Sequence, residues 1–245
     1  MRDLHTHTTY SDGKASPEEM ILSAIEKGLT EIGISDHSYT FFDESYCIPK
    51  DRLAAYKAEI ASLREKYRGR ISVLCGVEQD LYSAESTEGY DYAIGSLHYL
   101  EIDGVYYPID CSEEGFVRLA EVGFGGDYYA LAERYFSLLS AYAERDDVTI
   151  VGHFDLIAKY NEGGRLFDES HPRYLTAALR AADKLLAAGK RFEINTGAIA
   201  RGYRTVPYPA PTILSYIREK GGATLLSSDA HAPENIAFAF DRYSE

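Results

Sequence analysis

"DLHTHTTYSDG", residues 3–13, sets two histidines at alternating positions and an aspartate five residues on, where the first apolar run of the chain meets a turn. Residues two apart on a strand point to one face, so His5 and His7 can reach a single ion while Thr6 points the other way. An isolated His-x-His is a weak signal. It gains weight only if other strands end in the same way.

Six further runs read as strands: 31–35, 71–77, 91–97, 148–153, 191–195 and 223–228, after a first at 2–6. Amphipathic segments separate most of them, the alternation of βα units around a parallel sheet. The segment "SPEEMILSAIEKG" has Ser16 as N-cap, Pro17 at the first helical position, Glu19 to complete a capping box and Gly28 as a stop. Four more segments, 50–69, 127–145, 172–189 and 210–222, carry apolar residues at helical spacing. Asp103-Gly104 between two β-rich runs predicts a hairpin projecting from the rim, and residues 121–126 read as a loop before a long helix. With 245 residues and no linker or repeat, the expectation is an α/β fold, a distorted TIM-like (β/α)7 barrel forming one domain over 1–245.

The proposed strands end in His5 and His7, Asp36 and His37, Glu78, His98, His153, Glu193 and Asn195, then Asp229 and His231. Only one of the seven histidines, His171, falls elsewhere. Strand ends on one face of a parallel barrel converge, and barrel enzymes carry their sites there. Crowded carboxylates and imidazoles in a semi-dry cavity repel or compete, and metal ions relieve both problems. Taken singly, Glu78 could be a salt-bridge partner and "SDAH" a helix cap. Their conjunction is what points to metal chemistry.

The formal charge of −14 repels phosphate polymers and anionic membranes, which argues against nucleic acid as a partner. Cys47, Cys75 and Cys111 are odd in number and widely spaced, so neither a disulfide framework nor a structural zinc knot is expected. No signal segment or membrane-length apolar run is present, and the expected location is cytoplasmic.

"DLHTHTTYSDG", "GISDHS", "GVEQDL", "GSLHYL", "GHFDLI", "FEINTGA" and "SSDAHAPE" together resemble the successive motifs of the PHP (polymerase and histidinol phosphatase) superfamily of metal-dependent phosphoesterases. The resemblance implies a trinuclear cluster. His5, His7, Glu78 and Asp229 would hold one ion, Glu78 with His98 and His153 a second, and Asp12, His37 and His231 a third. On this pattern the opening stretch serves two ions, and Ser11-Asp12-Gly13 turns the chain back toward the site. Asp36 and Asn195 would fix ligands by hydrogen bonds, although a structural role for Asn195 stays open.

Mixed imidazole and carboxylate donors suit two or three zinc, manganese or iron ions better than calcium or magnesium. A hydroxide shared by two ions roughly 3.5–4 Å apart would attack phosphorus. Glu78, Asp229 and His231 are the expected catalytic residues; Asp229 and His231 are conceivable proton donors but already serve as ligands, so the general acid stays open. Lys159, Arg201 and the rival Arg204 are candidates for binding phosphate, each equally readable as a solvated rim charge. The runs "GHFDLIAKYN" and "EINTGAIARG" resemble the histidinol phosphatase branch most, implying a small-molecule phosphomonoester substrate, L-histidinol phosphate, in histidine biosynthesis. Two alternatives are a PHP enzyme acting on nucleotides or oligonucleotide ends, and a non-catalytic metal-binding module. Oligomeric state is not readable, and the short stretch after "SDAHAPE" predicts a short last helix or a less complete barrel near strand one.

Overall fold

The computed structural model describes residues 1–244. In chain order its elements are β1 (Arg2–Asp3), α1 (Pro17–Glu26), β2 (Glu31–Ile34), α2 (Leu53–Lys66), β3 (Ser72–Asp80), β4 (Tyr92–Ser96), β5 (Tyr99–Ile102) and β6 (Val105–Pro108). These are followed by α3 (Glu113–Phe124), α4 (Tyr128–Leu139), β7 (Ile150–Val151), α5 (Pro172–Ala187), β8 (Arg191–Asn195), α6 (Gly197–Ala200), α7 (Pro211–Glu219), β9 (Thr224–Ser227) and α8 (Phe240–Tyr243).

Seven strands form one parallel sheet in the order β1-β2-β3-β4-β7-β8-β9. Its two edges meet just beyond β1 and β9, where His7 N donates to Ala230 O (2.8 Å) and Ala230 N to His5 O (3.2 Å). The backbone that carries the two histidines is therefore the seam of a nearly closed, distorted TIM-like barrel. Asp3 reinforces this seam: its buried carboxylate accepts from Ser228 N (3.1 Å) and Ala237 N (3.0 Å), tying β1 to the C-terminal segment. The last described helix, α8, is indeed short, yet Phe240 on it is buried.

Inside the barrel, Leu4, Ile94, Ile150 and Leu225 form an apolar floor. The Tyr92 ring crosses it, and its hydroxyl donates to Leu4 O (2.5 Å). A Cβ at Gly33 or Gly76 would lie 1.9 or 2.2 Å from Tyr92 atoms, so both positions must be glycine. Outside the barrel, α3, α4 and α5 bury Phe116, Leu119, Tyr135, Phe136, Tyr174 and Leu185 in the larger core, while α1 and α2 cover the other side with Met20, Ile21, Tyr56 and Ile60.

Helix α1 starts with the expected capping box: Ser16 accepts from Glu19 N and Glu19 accepts from Ser16 N. Asp103 and Gly104 both take positive φ (51° and 81°), the two-residue turn that matches the twist of the β5–β6 hairpin. Three expectations need correction. Residues 121–124 are not a loop but the last turn of α3, which Ser112 caps and Gly125 ends at φ +61°. Gly123 is tolerated within that turn beside Ile102. β1 and β7 are shorter than their apolar runs, whereas β3 runs on to Asp80 because its late residues pair with Gln79↔Gly95 and Asp80↔Ser96 register on β4. Cys47 and Cys75 are buried and Cys111 is exposed, all free. Among the described residues no helix is long and apolar enough to cross a membrane.

Candidate metal centre and active site

Glu78 stands at the centre of the barrel mouth, almost fully buried. Its Oε2 lies 3.2 Å from His5 Nε2, 3.4 Å from His7 Nε2 and 2.9 Å from His37 Nδ1. Its Oε1 lies 2.9 Å from His153 Nε2 and 3.3 Å from His98 Nε2. One carboxylate thus faces five imidazoles from four strand ends, His5 and His7 both following β1. Asp229, held at φ +51° just past β9, adds Oδ1 at 3.4 Å from His7 Nε2 and 3.8 Å from His5 Nε2. Asp12 completes the array, with Oδ2 3.2 Å from His231 Nε2 and Oδ1 3.6 Å from His37 Nε2.

The structure brings all nine sequence-predicted ligands together in one continuous cluster. Donor atoms close enough to share an ion come from His5, His7 and Asp229; from His37, Glu78 and His98; and from His7, Asp12, His37 and His231. His7 joins two groups because its ring stacks on His231 (4.1 Å) and lies 4.3 Å from His37.

Donor chemistry fits metal ions. His5 Nε2 and both ring nitrogens of His7 are buried without a hydrogen-bond partner among the described residues, and buried polar atoms are rarely left so. His98 and His153 point Nε2 atoms at each other across 3.3 Å while both face the same carboxylate oxygen. Burial, followed by His231 and His37, pushes His7 down to about 3, which keeps its ring neutral and one ring nitrogen free to ligate. Burial would raise the Glu78 and Asp229 carboxyls, yet His5 and His37 around the first, and Arg201 and His5 around the second, hold both well below the usual range. His98 is lifted to about 10, because Glu78 and Asp80 outweigh its burial. The site is a carboxylate array that calls for positive charge.

Outer residues aim the rings. Glu193 Oε1 lies 2.7 Å from His5 Nδ1, and its Oε2 accepts from His153 N (3.1 Å) and Asn195 Nδ2 (3.1 Å). Asp80 plays the same part for His98, with Oδ2 3.3 Å from Nδ1. Neither Glu193 nor Asp80 was singled out from the sequence for this role, although Glu193 alternates with Asn195 at a strand end and Asp80 is two residues past Glu78. Asn195 therefore acts one bond further out than expected. Asp36 does not bind its neighbour His37: it accepts from Thr8 N (2.7 Å), Thr8 Oγ1 (2.8 Å) and Ser11 N (3.2 Å), and so holds the loop that presents Asp12.

The cluster opens into a cavity of about 410 Å³ lined on its far wall by Asp43, Tyr46, Tyr99, Lys159 and Tyr203. Arg201 also lines it; its guanidinium donates to Asp229 Oδ2 (2.9 Å) and Asp229 O (3.0 Å). Lys159 lines it too, with Nζ donating to Asp110 O (2.7 Å) and lying 3.2 Å from Asp110 Oδ2. Arg204 is the exception among the three basic candidates. It does not line the cavity and instead forms a two-pronged pair with Glu169 (2.7 and 3.0 Å) and donates to Ala158 O (2.7 Å).

A parallel barrel with a histidine and carboxylate cluster at its C-terminal mouth defines a class of metal-dependent barrel proteins. The PHP domain family model matches residues 3–197, and the chain belongs to this family. The Deinococcus radiodurans protein named "Probable histidinol-phosphatase" is 30% identical, over 97% of this chain and 89% of that one. The fold also matches the crystal structure of a candidate histidinol phosphatase from Listeria monocytogenes (TM-score 0.85, 21% identity, covering 99% of this chain and 100% of that one). A second match is histidinol phosphate phosphatase from Lactococcus lactis, solved with zinc, L-histidinol and phosphate (TM-score 0.70, 21% identity, 98% and 91%).

Proposed function

We propose that this chain, acting as one domain, is a metal-dependent phosphomonoesterase that hydrolyses L-histidinol phosphate to L-histidinol and inorganic phosphate. The observation that carries the proposal is the Glu78-centred cluster opening into a cavity also lined by Arg201 and Lys159. Sequence similarity to the D. radiodurans relative along nearly the whole chain supports the choice of substrate. A cytoplasmic location suits this biosynthetic role.

His5, His7, Asp12, His37, Glu78, His98, His153, Asp229 and His231 would hold two or three zinc, manganese or iron ions. Bound ions would neutralise phosphoryl oxygens and lower the pKa of an attacking water. The chain's own contribution is orientation. Glu193 and Asp80 fix the His5 and His98 rings so that their Nε2 lone pairs face the cluster. Arg201 places a guanidinium at the cavity edge, where its planar fork suits phosphoryl oxygens better than an ammonium would. Lys159 adds a second cation, already steadied by Asp110.

The −14 charge weighs against nucleic acid and, with metal-supplied positive charge confined to the cavity, favours a small substrate that is itself partly cationic. The test is phosphate release from L-histidinol phosphate beside nucleoside monophosphates and dinucleotides, with metal-replete and EDTA-stripped protein. Metal-dependent preference for L-histidinol phosphate is expected. Turnover confined to nucleotides would overturn the substrate and keep the metal site, while full metal loading without any turnover would favour a binding module.

A further inference from the structure

Five carboxylates line the cavity: Asp12, Asp43, Glu78, Asp110 and Asp229. Three belong to the metal-type cluster, and Asp110 is paired with Lys159 at 3.2 Å. Asp43 alone has only neutral donors. Its Oδ1 accepts from Ser45 N (3.0 Å) and Ser45 Oγ (2.6 Å), and its Oδ2 from the Tyr99 hydroxyl (2.6 Å). No lysine, arginine or histidine lies within ion-pairing distance of it among the described residues. Burial would raise this carboxyl, but the bonds from Ser45 and Tyr99 outweigh burial and lower it, so a full negative charge faces the cavity. A carboxylate offers about four acceptor positions, and three are in use.

The wall that carries Asp43 is rigidly built. Phe42 stacks on Tyr106 of the hairpin (3.9 Å, 4° between planes) and meets Tyr99 edge-on at 4.9 Å. Tyr99 in turn lies 5.8 Å from Tyr46, whose ring is 4.9 Å from His37. Asp43 is thus linked to the metal-type cluster through two aromatic side chains that themselves line the cavity. An anion next to aromatic faces is a site for an organic cation.

We propose that Asp43 is a specificity-determining residue that receives the cationic nitrogen of the alcohol half of the substrate while the phosphoryl end lies at the histidine cluster. The inference rests on the phosphomonoesterase reading and deepens it. A phosphomonoester whose alcohol carries an ammonium or imidazolium is held at both ends. A neutral ester is held at one.

The experiment compares wild type with Asp43→Asn on three esters: L-histidinol phosphate, O-phosphoethanolamine, which carries the ammonium without the ring, and 4-nitrophenyl phosphate, which carries no cation. A charge-assisted contact at a partly solvated site predicts that Asp43→Asn lowers kcat/KM for L-histidinol phosphate about 10- to 30-fold, chiefly through KM. Activity on 4-nitrophenyl phosphate should stay within about twofold. A parallel loss on O-phosphoethanolamine assigns the contact to the ammonium; its absence assigns it to the imidazolium, and both support the proposal. Equal losses on all three esters, or none on either cationic one, overturn it. Tyr99→Phe, which keeps the carboxylate, is the control for loop position: matching the Asp43→Asn profile would also overturn the proposal. If wild type ignores L-histidinol phosphate but turns over O-phosphoethanolamine in an Asp43-dependent way, the substrate reading fails and this inference stands.

Discussion

Glu193 holds His5 by a 2.7 Å contact between buried atoms that are 188 positions apart in sequence. The contact fixes the His5 tautomer: Nδ1–H donates to the carboxylate, and the Nε2 lone pair is left facing Glu78 and Asp229. Glu193→Gln keeps the shape and loses the charge, so metal affinity should fall about tenfold. Asn195→Ala, one hydrogen bond further out, should cost less. Zinc competition against a chromogenic chelator measures both, and equal affinities for wild type and Glu193→Gln would remove Glu193 from the site.

Arg201 and Arg204 are three residues apart but should separate in behaviour. Arg201→Ala removes a cation at the cavity edge and should lower kcat/KM roughly 100-fold, while Asp229, which keeps its histidine neighbours, makes the loss of stability smaller than for Arg204→Ala. Arg204→Ala leaves Glu169 without its partner, so it should cost about 2 kcal/mol of stability and spare kcat/KM. Steady-state kinetics beside chemical denaturation decide the matter. A catalytic defect in Arg204→Ala without a stability defect would reverse the assignment.

Gly13 sits where an added Cβ would come within 2.5 Å of the His7 carbonyl and Thr8 nitrogen. Gly13→Ala must therefore push the 8–13 loop outward and carry Asp12 away from His231 and His37. The expected result is loss of about one metal equivalent, matched by Asp12→Asn, with the helical circular dichroism signal retained. Full metal occupancy in Gly13→Ala would show that Asp12 holds no ion.

Asp155 predicts the direction of a pH effect on stability. It is buried, accepts one hydrogen bond from Ala210 N (2.9 Å), and its Oδ1 has no partner among the described residues. Burial pushes its carboxyl up to about 7, against the Ala210 bond and Arg204. The folded chain then keeps a proton that the unfolded chain has released, so this group favours folding below about pH 4 and the advantage drains away as pH rises to about 7. The total is at most about 4 kcal/mol. Asp155→Asn should flatten that slope, which melts of metal-loaded protein at pH 5 and pH 8 would reveal. Parallel slopes in wild type and variant would exclude Asp155 as the cause.

Sequence alone determined the barrel class and which ionisable residues fall at its strand ends. Both are written in local order: alternating apolar periods, the Ser16 capping box, the Asp103-Gly104 turn, and ionisable residues at successive strand ends. Residues whose roles depend on partners far along the chain were decided by tertiary structure. Glu193 reads as an ordinary strand glutamate until closure of the sheet sets it against His5. Asp43 reads as a loop aspartate until the hairpin brings Tyr99 to it. Arg204 reads as a twin of Arg201 until its fork meets Glu169. Periodicity and turn chemistry act over a few residues, whereas the direction of a side chain at the barrel mouth depends on which distant element reaches it first.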